Sequence, residues 1–129
     1  MTPDIKTKRL LVVEDSQDLQ ELTKELFETE GYEVYCSSNG QEALNFLRGE
    51  SPRPDLILLD LMMPVMDGYE FRKVQMQDTD LAAIPVVVIT ADADAREKAG
   101  HLKANDYASK AEGIDSLLDV VKRNCNNPQ

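Results

Sequence analysis

Short aliphatic runs alternate along this chain with longer stretches in which apolar residues recur every three or four positions. The runs are Arg9 to Val13, Glu33 to Cys36, Asp55 to Leu59, Pro85 to Ile89 and Asn105 to Ser109. Consecutive branched aliphatics, as in Leu56-Ile57-Leu58-Leu59 and Val86-Val87-Val88-Ile89, predict strands buried on both faces, the habit of a parallel sheet covered by helices. The stretches between them predict helices. Ser16 to Thr29 carries Leu19, Leu22, Leu26 and Phe27 at helical spacing, with Gly31 as its stop. Asn39-Gly40 opens a second helix bearing Ala43, Leu44 and Leu47 and ended by Gly49. Asp67 is a good N-cap for a third, which buries Phe71 and Val74. Asp94 to Leu102 is Ala-rich, so the fourth helix should be weakly packed and comparatively mobile. Ile114, Leu117, Leu118 and Val121 form the apolar stripe of a fifth.

Five alternations of strand and helix predict an α/β fold, a (βα)5 doubly wound parallel sheet with right-handed crossovers. In the flavodoxin-like strand order 2-1-3-4-5, the switch-point crevice lies between strands one and three. Residues 1–129 are expected to form one domain, with 1–8 as an N-terminal segment and 125–129 as a tail. No output domain is expected after the fifth helix.

Composition narrows the function classes. Hydrophobic content of 42% with 29% charged residues is ordinary for a soluble globular chain of 129 residues. No apolar stretch is long enough to span a membrane, and the start lacks a signal-peptide core. A net charge of −10 argues against nucleic acid as a direct partner, although Lys6, Lys8 and Arg9 make a small basic cluster. Cys36 and Cys125 have no metal-binding spacing and fall near different edges and ends of the sheet, so no bridge between them is expected. The expected location is cytoplasmic.

The strand ends carry the chemistry. Strand one ends in Glu14-Asp15, strand three in Asp60, strand four in Thr90 and strand five in Lys110. Singly, each has an ordinary reading: Asp15 or Ser16 as a helix cap, Thr90 as another cap, Lys110 as a solvated lysine, Asp60 as a turn residue. Together they aim three carboxylates, a hydroxyl and an ammonium at one crevice. Carboxylates so gathered raise one another's pKa, and a hard cation with oxygen ligands, Mg²⁺, relieves them. Mg²⁺ beside an Asp implies phosphoryl chemistry, in which Asp60 accepts the group while Lys110 and Thr90 hold its oxygens.

At these residues the chain resembles the receiver domain of two-component response regulators. The resemblance rests on Glu14-Asp15, Asp60-Leu61-Met62-Met63-Pro64-Val65-Met66-Asp67-Gly68, Thr90-Ala91 and Asn105-Asp106-Tyr107-Ala108-Ser109-Lys110, and covers essentially the whole chain. It implies that Asp60 takes a phosphoryl group from a phosphohistidine on a sensor histidine kinase or a histidine phosphotransfer protein. It implies that Asp15, Asp60 and the Met62 carbonyl bind Mg²⁺ directly and Glu14 through water. Thr90 then moves toward the phosphoryl group and Tyr107 swings inward, remodelling the face of helix four, strand five and helix five for a downstream protein target not named by the sequence. Such a module is not an enzyme; it catalyses only its own phosphorylation and dephosphorylation.

The chain departs from the family pattern at Ala111, where Pro is usual, and at Lys103, where Gly is common. A trans Lys110–Ala111 peptide is expected, because cis is costly without Pro. Met62 and Asp92 flank the phosphoryl position as candidate modulators of hydrolysis. His101 reads as a surface residue, and Met62, Met63 and Met66 as loop packing. Three other functions compete. An aspartyl-nucleophile phosphatase lacks its general acid, because Met62 stands two residues after Asp60. A flavin-binding module conflicts with the repulsion between phosphate and Glu14-Asp15. A receiver-like module acting without phosphorylation conflicts with the complete acidic pocket.

Overall fold

In a computed structural model that describes residues 7–91 and 94–125, five parallel strands form one sheet in the order β2-β1-β3-β4-β5. The strands are β1 (Arg9–Val13), β2 (Glu33–Ser37), β3 (Leu56–Asp60), β4 (Val86–Thr90) and β5 (Asp106–Ser109). Five helices follow them in turn: α1 (Gln17–Thr29), α2 (Gly40–Arg48), α3 (Gly68–Met76), α4 (Ala95–His101) and α5 (Ile114–Cys125). The doubly wound, flavodoxin-like sheet is therefore as expected. Two short elements were not foreseen, a helical turn at Thr79–Ala82 and a 3₁₀ turn at Lys110–Glu112. Expectations placed on Asp92 and on the side chain of Ile114 lie outside the described residues.

Strand alternation sorts the aliphatics into two cores. Leu10, Val12, Leu56, Leu58, Val87 and Ile89 pack with Phe27 of α1 and with Leu117 and Val121 of α5. Leu11, Val13, Ile57, Leu59, Val86 and Val88 pack on the other face with Ala43, Leu44, Phe71 and Ala99. Every residue of β3 and β4 is buried. Each such aliphatic contributes about 1.5–3 kcal/mol on leaving water, enough to hold the central strands in register.

Helix α1 stops where its sequence says it should. Gly31 adopts φ 98°. Its N–H donates to the Glu28 carbonyl at 3.0 Å, and that of Tyr32 to the Phe27 carbonyl at 2.9 Å. The Phe27 and Tyr32 rings meet edge to face at 5.5 Å, the apolar contact that accompanies this glycine-terminated ending. Leu22 departs from the expected stripe. It is 52% exposed, and Thr23 takes the inward position instead. Both cysteines are free thiols, as expected, with Cys125 buried.

Helix α4 is as thinly packed as its composition predicts, burying only Ala95 and Ala99. Asp94, at its N-cap position, makes no side-chain capping bond. Its other end is pinned. The buried Arg72 of α3 donates to the carbonyls of Leu102 at 2.9 Å and Lys103 at 2.6 Å, and to Gln75 Oε1 at 2.8 Å. Gln75 in turn donates to the carbonyls of Leu81 and Ile84. A helix carboxyl end is a natural seat for a cation, so Arg72 is compensated without a carboxylate. Lys103 ends this segment at φ 55°, a left-handed conformation that suits Gly better than Lys.

Two stability changes follow. Arg72→Ala leaves the Leu102 and Lys103 carbonyls and the buried Gln75 without their donor and is expected to cost about 2–4 kcal/mol in urea unfolding. Lys103→Gly removes the left-handed penalty and is expected to gain about 0.5–1 kcal/mol in the same assay. A destabilised Lys103→Gly would contradict the strain assigned to that residue.

Candidate functional site

Strand register assembles the site. Val13 pairs with Leu59, so Glu14 emerges beside Asp60. Asp60 pairs with Ile89, which puts Thr90 one residue further along, and Thr90 pairs with Ser109, which puts Lys110 next. Four sequence-distant segments thus meet at the carboxyl edge. Glu14, Asp60 and Thr90 are buried there, with exposures of 2%, 4% and 2%, among strands that are otherwise apolar. Asp15 is exposed and Lys110 half-buried.

The acids are close. Carboxylate oxygens of Glu14, Asp15 and Asp60 all lie within 4.8 Å of one another. Lys110 Nζ stands 2.9 Å from Glu14 Oε1 and 3.4 Å from Asp60 Oδ1. Glu14 Oε1 is compensated by that charge rather than by an aligned hydrogen bond, while Oε2 accepts from the Ser16 N–H at 3.0 Å. Burial pushes the Asp60 carboxyl up to about 6, with Glu14 adding to the shift; Lys110 and the Met62 backbone N–H act against it. Burial works against the Lys110 ammonium too, but the adjoining carboxylates outweigh it and raise its pKa.

The donor set fits Mg²⁺. Three carboxylates less one ammonium leave two negative charges, and every available donor is a hard oxygen. Glu14, Asp15 and Asp60 would hold such an ion, with main-chain oxygen from the loop after β3.

That loop is shaped tightly. The Met66 N–H donates back to the Pro64 carbonyl at 2.7 Å, across Val65 at φ 68°, a strained tight turn for a β-branched residue. The turn presents the Met66 carbonyl to the Gly40 N–H at 2.8 Å, tying the loop to α2. Gly68 opens α3 against the strand end; a Cβ there would sit 2.5 Å from the Asp60 carbonyl oxygen and 2.8 Å from Leu61 Cα. Asp67 and Glu70 form a reciprocal capping box at this helix start.

The ordinary readings now separate from the functional ones. Ser16, not Asp15, caps α1, accepting from the Leu19 N–H at 3.2 Å. Thr90 ends its strand well before α4 begins at Ala95, so it is not that helix's cap. The Met62 side chain is 69% exposed, which corrects its assignment to loop packing; Met63 and Met66 do pack on the second core. His101 is exposed, and Tyr107 is half-buried against the same core. Among the described residues no peptide is cis, so the Lys110–Ala111 bond is trans. Sequence reasoning missed Gln20, whose amide donates to the Glu14 carbonyl, and missed the close approach at Gly68. The Asp67-Gly68 dipeptide carried a signal for the second; nothing in one sequence marks the first.

Comparison with known proteins agrees with this geometry. The profile of the response regulator receiver domain matches residues 10–122. The polar-differentiation response regulator DivK of Brucella anthropi is 35% identical over 119 residues, which span 89% of this chain and 94% of DivK. Sporulation initiation phosphotransferase F of Bacillus subtilis is 36% identical over 118 residues, spanning 90% of this chain and 92% of that protein. Among solved structures, the signal receiver domain of a signal transduction histidine kinase from Syntrophus aciditrophicus superposes with a TM-score of 0.81 at 35% identity, covering 95% of this chain and 93% of that one. The Mn(2+)-bound form of response regulator Rcp1 superposes with a TM-score of 0.74 at 36% identity, covering 89% of each chain.

The elevated Asp60 pKa makes a prediction about stability. Its folded value lies above that of an exposed Asp, so the fold favours the protonated form. That contribution is complete below about pH 4 and is lost as pH rises through about 6. In the presence of a chelator, Asp60→Asn is expected to be more stable than the parent at pH 7–8 by up to about 3 kcal/mol, with the gain vanishing toward pH 4. Urea unfolding followed by circular dichroism across this range checks it; a gain independent of pH would contradict the assignment.

Proposed function

This chain belongs to the response regulator receiver domain family, the signalling modules of two-component systems, and we propose that Asp60 is its phosphoacceptor. The observation that carries the proposal is the burial of Asp60 between Lys110 and the acidic pair, with Thr90 ending the adjacent strand. Receiver domains work with histidine kinases or phosphotransfer proteins and with downstream targets. Here the donor is a phosphohistidine on a sensor histidine kinase or histidine phosphotransfer protein. Its N–P bond breaks as an Asp60 Oδ–P bond forms, and the imidazole departs with the electron pair.

Asp60 must be ionised to attack, and a pKa near 6 leaves it mostly anionic at neutral pH. Lys110 is already beside the carboxylate and pairs with one phosphoryl oxygen; the Thr90 hydroxyl donates to another. Glu14, Asp15, Asp60 and the Met62 carbonyl would hold Mg²⁺. When bound, the metal supplies neutralisation of the phosphoryl oxygens. The site's hard-oxygen donors support this reading, as does the Mn(2+) in the related Rcp1 structure.

The response leaves through the face built by α4, β5 and α5. A groove of about 380 Å³ runs across it, lined by Arg96, Tyr107, Glu112, Asp119 and Arg123. Thin packing of α4 permits that face to change when Thr90 engages the phosphoryl group and Tyr107 turns inward. The partner there is a protein rather than nucleic acid, in keeping with the acidic charge of −10. No helix among the described residues is long and apolar enough to cross a membrane. Free thiols and a phosphohistidine donor go with a cytoplasmic location. A receiver-like module working without phosphorylation is not favoured, because it leaves the buried acids without a purpose.

Incubation with Mg²⁺ and acetyl phosphate is expected to add one phosphate by mass, lost in Asp60→Ala and when a chelator removes the metal. Thr90→Ala is expected to retain phosphorylation but to lose the accompanying shift of the Tyr107 ring resonances. Absence of any modification in the parent would favour the phosphorylation-independent alternative.

A further inference from the structure

We infer that Gln20 is a positioning residue for the metal site, holding the acidic pair in place from the first turns of α1. The inference rests on the reading of that pocket as a Mg²⁺ site. The parallel ladder between β1 and β2 ends at Val13 and Ser37, and its last rung is the Glu14 N–H donating to the Ser37 carbonyl at 2.9 Å. Beyond it the ladder stops, because Asn39, whose N–H would be the next to reach the Glu14 carbonyl, is already the N-cap of α2. The Glu14 carbonyl is then left without a strand partner at the point where the acidic pair begins.

Gln20 replaces the missing rung. Its Nε2 donates to the Glu14 carbonyl and lies 3.2 Å from Ser38 Oγ and 3.5 Å from the Ser37 carbonyl. With carbonyl oxygens on both strands facing it, the amide must present its nitrogen there, since the oxygen would repel them. One side chain thus joins the carboxyl ends of two strands to α1.

The residue that depends on this clamp is Asp15. Its carboxylate is exposed and makes no hydrogen bond or ion pair among the described residues, so only its backbone places it. On the C-terminal side that backbone is held by the Ser16 N–H bonded to Glu14 Oε2 and by Ser16 capping the helix. On the N-terminal side it is held at the Glu14 carbonyl by Gln20. A ligand preorganised by its backbone binds more tightly than one that must be ordered on binding. Gln20 therefore acts on the metal through Asp15 without touching it.

Titration of the whole chain with MgCl₂ at fixed ionic strength, read from the backbone amide resonances of Asp15 and Asp60, tests this. Gln20→Leu, which removes the donor, and Gln20→Asn, which keeps the amide but shortens its reach, are both expected to weaken Mg²⁺ affinity about 5–10-fold, the scale of one hydrogen bond. Thr23→Ala, which loosens the same helix but leaves the Gln20 bonds in place, is expected to stay within about twofold of the parent. Parent-like affinity in either Gln20 variant that remains folded, or an equal loss in Thr23→Ala, would overturn the inference. A parent that binds no Mg²⁺ at all would instead overturn the metal-site reading beneath it.

Discussion

Burying two carboxylates at the end of an apolar sheet is the constraint on which the rest of this molecule depends. Glu14 and Asp60 sit at the ends of strands whose every interior residue is buried, with Asp15 close enough to add its charge. Unpaired, each would carry a heavy desolvation cost. Lys110 compensates part of it, standing nearer Glu14 than Asp60. The remaining two negative charges mark the site as prepared for a cation. Burial, with the Glu14 charge adding to it, raises the Asp60 pKa to about 6, where a proton, a metal or a phosphoryl group all change its state readily.

Holding that charge cluster requires a rigid surround, and the surround is built from backbone contacts more than from side chains. Gly68 brings the start of α3 against the Asp60 carbonyl, and the strained turn at Val65 ties the same loop to α2. Stiffness is not shared evenly. α3 is capped and tightly seated, whereas α4 rests on two alanines and is held at its carboxyl end by Arg72. The thinly held amino end of α4 lies downstream of Thr90. That asymmetry gives a local charge change a direction in which to act.

How much of this the sequence disclosed depends on the kind of signal. Strands announced themselves because β3 and β4 must be apolar at every position to lie between two helical layers. The site was legible because register carries strand ends together: once the order 2-1-3-4-5 is granted, Glu14, Asp60, Thr90 and Lys110 have nowhere else to go. Side chains whose neighbours come from elsewhere in the chain were harder. Leu22 fits the helical period but turns outward, because Thr23 fills the inward position. Met62 is hydrophobic yet exposed, since its backbone, not its side chain, faces Asp60. Arg72 and Gln20 are polar residues on amphipathic helices, where a solvated face is the default expectation. Only the structure shows the carbonyls that each one satisfies.

The departure at Ala111 takes on a physical meaning in this light. A proline after the site lysine would fix the chain there, and Ala111 does not. Instead Ser109 Oγ accepts from the Ala111 N–H at 3.2 Å, starting a 3₁₀ turn that runs from Lys110 to Glu112 and ends at Gly113, whose φ of 89° reverses the chain. Lys110 is therefore the first residue of a short capped turn, with its ammonium held between Glu14 and Asp60. Its position is set by hydrogen bonding and charge rather than by a constrained peptide. A lysine held in this way follows the charge it is paired with. The ion pair that compensates Asp60 in the resting protein is thus also the contact best placed to register a change at Asp60.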